Sequence, residues 1–342
     1  MQQFNSRFLL SGLALLLCLG LTAQNTRYVD AMFSMETPQD SITYGRNISI
    51  LTGAVDTINL DMDLYLPAGD DATDRPVVVV FSTGSFLPIV INNTAYGSRK
   101  DSVNVELMRR MTSLGYVGIV ADYRKGWLPT ADNNEVRTNT LLNATYRGVQ
   151  DARTLVRHLR KTVAEDGNPY GIDPDKIVLF GVGTGGYLSM AAAYLDRFEE
   201  LNDEKWVGSN GQVYVIQAAS GDPYGAGGQG LNFAGGTNQG YSSDFAMAVN
   251  LGGALGDSSW IEGREEEPLT VAYHFFRDPF APFGDGAVIV PTTEEFVVNV
   301  SGTNTIVKLA NEEGVNDLLV PANAIDLPEQ FSSLSEAVNQ RN

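Results

Sequence analysis

KIVLFGVGTGGY, residues 176–187, decides how this chain folds. A short apolar run rich in β-branched residues breaks into glycines, and an Ala-rich stretch, LSMAAAYL, follows. The pattern predicts a buried strand, a tight turn and a helix. Two chemistries share that spelling. Gly181, Gly183 and Gly186 form G-x-G-x-x-G, a turn that lets backbone approach a dinucleotide pyrophosphate. The same residues also form G-x-S-x-G, the sharp turn that presents a catalytic serine, with Gly183 where the serine would stand.

The flanks separate the two. A dinucleotide site needs a second strand after the helix, with an acidic residue at its end about 20 residues on. Here the helix is followed by DRFEELNDEKWVG, acidic and not strand-like. A dinucleotide turn also tends to open its domain, whereas three strands and two helices are expected before this one. The nucleotide oxidoreductase is therefore the least favoured reading.

Working outward, 48–66 alternates apolar and polar residues as half-buried antiparallel strands do, with Leu60, Met62, Leu64 and Leu66 on one face and Asp61, Asp63 and Tyr65 on the other. VVVVF (77–81), YVGIVADYR (116–124), KIVLF (176–180), AMAVNLGGAL (246–255) and LTVAYHF (269–275) read as buried strands. Helices are expected around 105–114, over 139–164 with Leu142, Val149, Ala152, Val156 and Leu159 on one face, over 185–197, and over 303–313. DLLV (317–320) reads as a last short strand. Alternating strands and helices predict an α/β fold, a mostly parallel sheet with helices on both faces. A Gly-rich stretch at 201–245 lacks periodicity and is expected to be an irregular insertion or lid. No linker divides 24–342, so one domain is expected.

Composition narrows the function. Of 342 residues, 43% are hydrophobic and 19% charged, enough for a sizeable core. The formal charge of −18 disfavours nucleic acid and anionic membrane surfaces as partners. Arg7, the apolar run FLLSGLALLLCLGL and Thr22-Ala23-Gln24 make residues 1–23 a secretory signal peptide, too short for a convincing membrane span. The only cysteine, Cys18, lies in that run behind Leu17, too large for a lipoprotein signal, so the expected mature chain is secreted without disulfides. His158 and His274 are the only histidines, so no metal cluster is expected. The Asp-rich turns at Asp61, Asp63, Asp70 and Asp71 lack the spacing of a calcium loop and read as solvated. Four N-x-[ST] sequons, at Asn47, Asn92, Asn143 and Asn299, carry weight only in a glycosylating host. Trp127, Trp206, Trp260 and Tyr241 are either groove-lining or ordinary packing residues.

Several segments in order carry a resemblance. VVVVFSTGSF lies about a hundred residues before the elbow, GIDPDKIVLFGVGTGG holds it, and LTVAYHFFRDPFAP lies about 95 residues beyond. Residues 48–320 resemble the α/β-hydrolase fold of secreted esterase and lipase-like proteins, and the Thr-Ala-Gln leader end resembles exported proteins of Bacteroidetes. That resemblance implies a Ser-His-acid triad and an oxyanion hole, with no cofactor. Carried over, it puts Gly183 at the nucleophile position, Asp278 at the triad acid, and the N–H groups of Gly84, Ser85 and Thr184 at the oxyanion. The family histidine follows the last strand, and the sequence after Val320 has none. His274, near the end of the Asp278 strand, is the alternative base, or else a hydrogen-bonded residue of that strand. His158 reads as a surface residue.

In a serine protease, losing the serine or the histidine costs roughly 10⁶-fold in turnover, about 8 kcal/mol of barrier. The leading expectation is a non-catalytic relative that binds an unidentified small-molecule or surface ligand. The alternative is an active carboxylic ester hydrolase with Thr184, Ser82 or Ser85 as a rearranged nucleophile and His274 or Asp278 as base. The substrate or ligand and the oligomeric state are not legible.

Overall fold

The computed structural model describes residues 26–319, apart from 52–53, 93, 227–231, 233–235 and 291. The leader with Cys18, part of the Gly-rich stretch and the histidine-free segment from Val320 on lie outside the described residues.

Among the described residues ten strands are formed: β1 Gln39–Ser49, β2 Asp56–Tyr65, β3 Arg75–Phe81, β4 Val117–Ala121, β5 Ile172–Val182, β6 Met247–Leu251, β7 Ala254–Leu255, β8 Leu269–Tyr273, β9 Gly286–Ile289 and β10 Phe296–Gly302. The helices longer than two turns are α1 Ser102–Ser113, α2 Asn134–Glu165, α3 Thr184–Tyr194 and α4 Thr303–Glu312. Seven strands make one sheet in the order β1-β2-β4-β3-β5-β6-β8, antiparallel from β1 to β4 and parallel from β4 to β8. A parallel sheet entered by an antiparallel hairpin, with β3 placed between β4 and β5, is the strand order of the α/β-hydrolase fold. The chain has that fold.

The expected strands and helices form, with informative differences. The hairpin of β1 and β2 is half-solvated as expected up to Asp61, but the end of β2 is buried on both faces. Leu60, Met62 and Leu64 join the main core, while Tyr65 packs in a second core and Asp63 is fully buried against Arg99 and Lys100. A buried carboxylate answered by two cations looks, in sequence, like a solvent-facing one. The run 246–255 splits, since Gly252 and Gly253 break it and send Ala254 and Leu255 into a separate three-stranded sheet, β7-β10-β9. Residues 317–319 form a 3₁₀ turn rather than a strand.

α2 explains itself locally. Asn133 caps it by accepting the Glu135 N–H, Glu135 sits in the first turn, and the expected apolar stripe is buried. Its buried polar side holds the Gly-rich segment: Gln150 donates to the carbonyls of Ser220 and Asp222, and Arg157 to those of Thr237 and Tyr224. The insertion is thus tied down on α2. Trp206 and Trp260 are buried against each other, with ring centroids 6.3 Å apart, so they are packing residues. No helix among the described residues is long and apolar enough to cross a membrane.

Candidate functional site

β3 and β5 pair in parallel with Phe81 opposite Gly181, so the loops that follow leave the sheet side by side. Adjacent parallel strands whose chains depart in different directions open a crevice at their carboxyl ends. The β3 loop carries Ser82, Thr83, Gly84 and Ser85, and the β5 turn carries Gly183 and Thr184.

The elbow is built by close approach. A Cβ at Gly181 would stand 2.0 Å from the Gly185 carbonyl oxygen, and one at Gly185 would stand 2.0 Å from that of Phe81. These glycines let α3 press against β5 and β3, which accounts for them without a nucleotide. Gly183 has φ 54° and ψ −112°, the strained backbone of a nucleophile turn, and its N–H donates to the Leu251 carbonyl at 2.8 Å. The turn has that shape and carries no side chain at its apex.

What fills the vacated volume is Thr83. A Cβ built on Gly183 would meet Thr83 Oγ1 at 2.5 Å and Thr83 Cβ at 3.0 Å. The threonine side chain therefore overlaps the place where a serine would begin. The Thr83 hydroxyl makes no hydrogen bond among the described residues. Residue-by-residue matching to the family pattern passed over Thr83, because its family counterpart supplies backbone; only the β3–β5 register places it against Gly183.

The oxyanion side is occupied as well. The Ser85 N–H donates to Thr184 Oγ1 at 2.8 Å, so the donor that would meet a developing oxyanion already has a partner. The Thr184 hydroxyl, a candidate rearranged nucleophile in the sequence, accepts this bond and so points back at the loop. Ser85 and Phe86 both hold positive φ, 54° and 51°, unusual for residues with side chains. Three contacts fix that loop: Trp127 Nε1 donates to the Ser85 carbonyl at 2.7 Å, Gly126 N–H to that of Phe86, and Leu87 N–H to that of Gly84. Trp127 is thus a support of the loop. Ser82 is buried, with its Oγ accepting from Asn104 Nδ2 at 2.7 Å, which removes it as a free nucleophile.

His274 and Asp278 meet at the end of β8, two strand spacings or about 10 Å from β5. His274 Nε2 lies 3.5 Å from Asp278 Oδ2, and its side chain is fully enclosed. Its Nδ1 is 2.7 Å from Thr303 Oγ1, which also accepts from Asn250 Nδ2 at 3.0 Å. Thr303 Oγ1 also donates to the Gly253 carbonyl at 3.3 Å, and His274 Nε2 finds no hydrogen-bond partner among the described residues. His274 is therefore a hydrogen-bonded strand histidine through Nδ1 alone. Asp278 Oδ1 accepts the N–H groups of Phe280 and Ala281, at 2.7 and 3.1 Å, and so caps the turn it sits on. Asp278 Oδ2 approaches to 3.4 Å of a Cβ built on Gly252, which follows the Leu251 that holds Gly183. The acid thus sits on the elbow's side of the sheet end. Burial, and then the Asp278 charge, push the Tyr187 hydroxyl above the usual phenol range, and that hydroxyl finds no partner among the described residues.

His158 is not a surface residue. Its imidazole is largely enclosed on α2, and burial with nearby Lys161 pushes it down to about 4. Arg157 and Arg160 beside it misled the sequence reading, because Arg157 is itself buried.

The seven-stranded sheet, the glycine turn at the end of β5 and the carboxylate after β8 together define the class as far as the fold: the chain has an α/β-hydrolase fold. Residues 62–220 match the family model described as BD-FAE. No curated protein matches the chain. Similar solved structures include a butyrate-bound thermophilic esterase, Est2, from the planctomycete Thermogutta terrifontis, at 18% identity and TM-score 0.39 over 70% of this chain and 75% of that one. A truncated carbohydrate esterase from gut microbiota is 15% identical, with TM-score 0.44 over 84% and 86% of the two chains. MGS-M1, an α/β hydrolase from a Medee basin deep-sea metagenome, is 14% identical, with TM-score 0.38 over 79% and 78%.

Proposed function

We propose that this protein is a catalytically silent relative of the esterase-like α/β-hydrolases, exported by its leader, that binds a small-molecule or surface ligand at the mouth of the old site. One observation carries the reading: Thr83 stands in the nucleophile volume above Gly183, with the neighbouring oxyanion donor, Ser85 N–H, taken by Thr184. Attack needs a hydroxyl, a base within hydrogen-bond reach and an unoccupied oxyanion site. His274 is held by Thr303 at Nδ1 on β8, two strand spacings or about 10 Å from the elbow strand β5, so the base is not poised there. Binding is supported by the rim. Ile89 and Ile91 on the short helix after β3, Leu128 after β4, and Phe275, Phe276 and Phe280 after β8 are exposed at the same end of the sheet, apolar side chains of the kind that mark interaction sites.

The Thr83 hydroxyl favours a second reading, a hydrolase whose nucleophile has moved from the elbow to the β3 loop, because it lies where a serine Oγ would start and has no partner among the described residues. Initial rates on p-nitrophenyl acetate and butyrate separate the two. The silent reading expects wild type, Thr83→Ala and Thr184→Ala all to match the buffer rate. Turnover in the wild type that disappears in Thr83→Ala would replace it with the displaced nucleophile.

A further inference from the structure

We infer that the carboxyl end of β8 holds a divalent cation of the zinc type between His274 Nε2 and Asp278 Oδ2. Four segments converge there. Gly253, at the corner between β6 and β7, lies against the first turn of α3, where a Cβ on it would stand 2.5 Å from the Gly186 carbonyl carbon and the Tyr187 nitrogen. Gly252 before it faces Asp278 Oδ2. Thr303 opens α4, and its hydroxyl reaches both the Gly253 carbonyl and His274.

The hydrogen bonds around Thr303 decide where the imidazole proton sits. The hydroxyl has one proton to give, and it goes to the Gly253 carbonyl at 3.3 Å. Asn250 Nδ2, 3.0 Å away, can only donate to Thr303 Oγ1, while Asn250 Oδ1 accepts the Gly253 N–H at 2.7 Å. At 2.7 Å, His274 Nδ1 must then donate to Thr303 Oγ1 as well. A neutral imidazole with its proton on Nδ1 carries a lone pair on Nε2. That lone pair stands 3.5 Å from Asp278 Oδ2, and the histidine side chain is fully enclosed. Two acceptors thus face each other across an enclosed gap, which burial makes costly unless a positive charge sits between them.

The spacing selects a metal ion over a proton. A charge-assisted N–H···O bond would close the pair to about 2.7–2.9 Å. Two ligands of a tetrahedral zinc ion, at about 2.0–2.2 Å each, stand about 3.3–3.6 Å apart. The surroundings match. Thr303 fixes the ring by accepting from Nδ1, as outer partners of metal-bound histidines do. Asp278 Oδ1 is tied to the Phe280 and Ala281 N–H groups, which leaves Oδ2 as the single ligand oxygen. Phe283 lies edge-on to the imidazole with ring centroids 6.0 Å apart, and Phe276 lies 5.4 Å from Phe283, so one wall is apolar. Asp278, 19% exposed, gives the ion its way in. Among the described residues no three His, Cys, Asp or Glu side chains converge. The third donor is the Tyr187 hydroxyl, which lies in the field of the Asp278 carboxylate and has no other partner among the described residues, and the fourth position falls to solvent.

Isothermal titration of zinc chloride into the untagged, metal-free protein tests this. One ion per chain is expected to bind, and to bind equally well in His158→Gln, which removes the only other histidine. Asp278→Asn keeps an oxygen for the turn N–H groups and should lose the ion, as should His274→Gln. Melting of the metal-free variants checks that both fold, and where one does not, the other decides. Thr303→Val should weaken binding about 10–100-fold. Cobalt in place of zinc should give the intense visible bands of a four-coordinate ion, absent in His274→Gln. No uptake by the wild type, uptake that survives both ligand variants, or the pale spectrum of six-coordinate cobalt would each overturn the inference.

Discussion

Gly183→Ser places a hydroxyl at the apex of the elbow and, on this structure, destabilises the protein. The new Cβ would stand 2.5 Å from Thr83 Oγ1 and 3.0 Å from Thr83 Cβ, the first about 1 Å inside ordinary contact. Moving Thr83 aside is an overpacking change of about 1–3 kcal/mol. Holding a side-chain residue at φ 54° and ψ −112° adds a further 1–3 kcal/mol or so. Gly183→Ser should therefore cost about 2–6 kcal/mol in all, read as a lower urea midpoint at unchanged m-value. Thr83→Ala removes the closest contact and leaves the 3.0 Å one, so the double variant should recover about 1–2 kcal/mol. The two changes must be non-additive in that direction. A double variant as unstable as the sum of the singles would mean that Thr83 does not occupy the serine's volume.

Three further outcomes follow from the same structure. Asp151 and Arg124 form a fully buried pair at 2.9 Å, so Asp151→Ala, which strands the guanidinium, should cost about 3–5 kcal/mol by denaturant titration. His158, about 4 when folded against 6.5 unfolded, binds its proton more readily in the unfolded chain. Its contribution is complete above pH 6.5 and falls as the pH drops toward 4, by at most ~3 kcal/mol. Parallel stability–pH curves for wild type and His158→Gln would contradict that. Asp278→Ala removes the acceptor for two turn N–H groups, so it should cost about 0.5–2 kcal/mol in stability and leave ester turnover at the buffer rate.

Much of the fold was legible because buried parallel strands announce themselves as unbroken apolar runs. β3, β4 and β6 did so, and the elbow glycines tied them to one topology. β9 and β10 escaped notice. Their burial is irregular, and their pairing with Ala254 and Leu255 is a long-range event that no local pattern encodes. The site was half legible. Gly183 and Asp278 could be nominated by position in the pattern, but Thr83 could not, since its contact with Gly183 depends on which strand lies beside β5. The hydroxyls of Ser82 and Thr184 read as free candidates until the structure showed each one bonded to a neighbour. His158 was misread because a histidine among three basic residues looks solvated, whatever the segment packed over the helix does to it.

Intact-mass analysis after incubation with a fluorophosphonate, alongside an active serine esterase as control, tests the central claim most directly. The account predicts no adduct, because a hydroxyl without a base at the elbow and with the Ser85 donor occupied is not activated for attack on phosphorus. A stoichiometric adduct, mapped by peptide sequencing to Thr83 or any other hydroxyl at the elbow, would show that the nucleophile was relocated rather than lost.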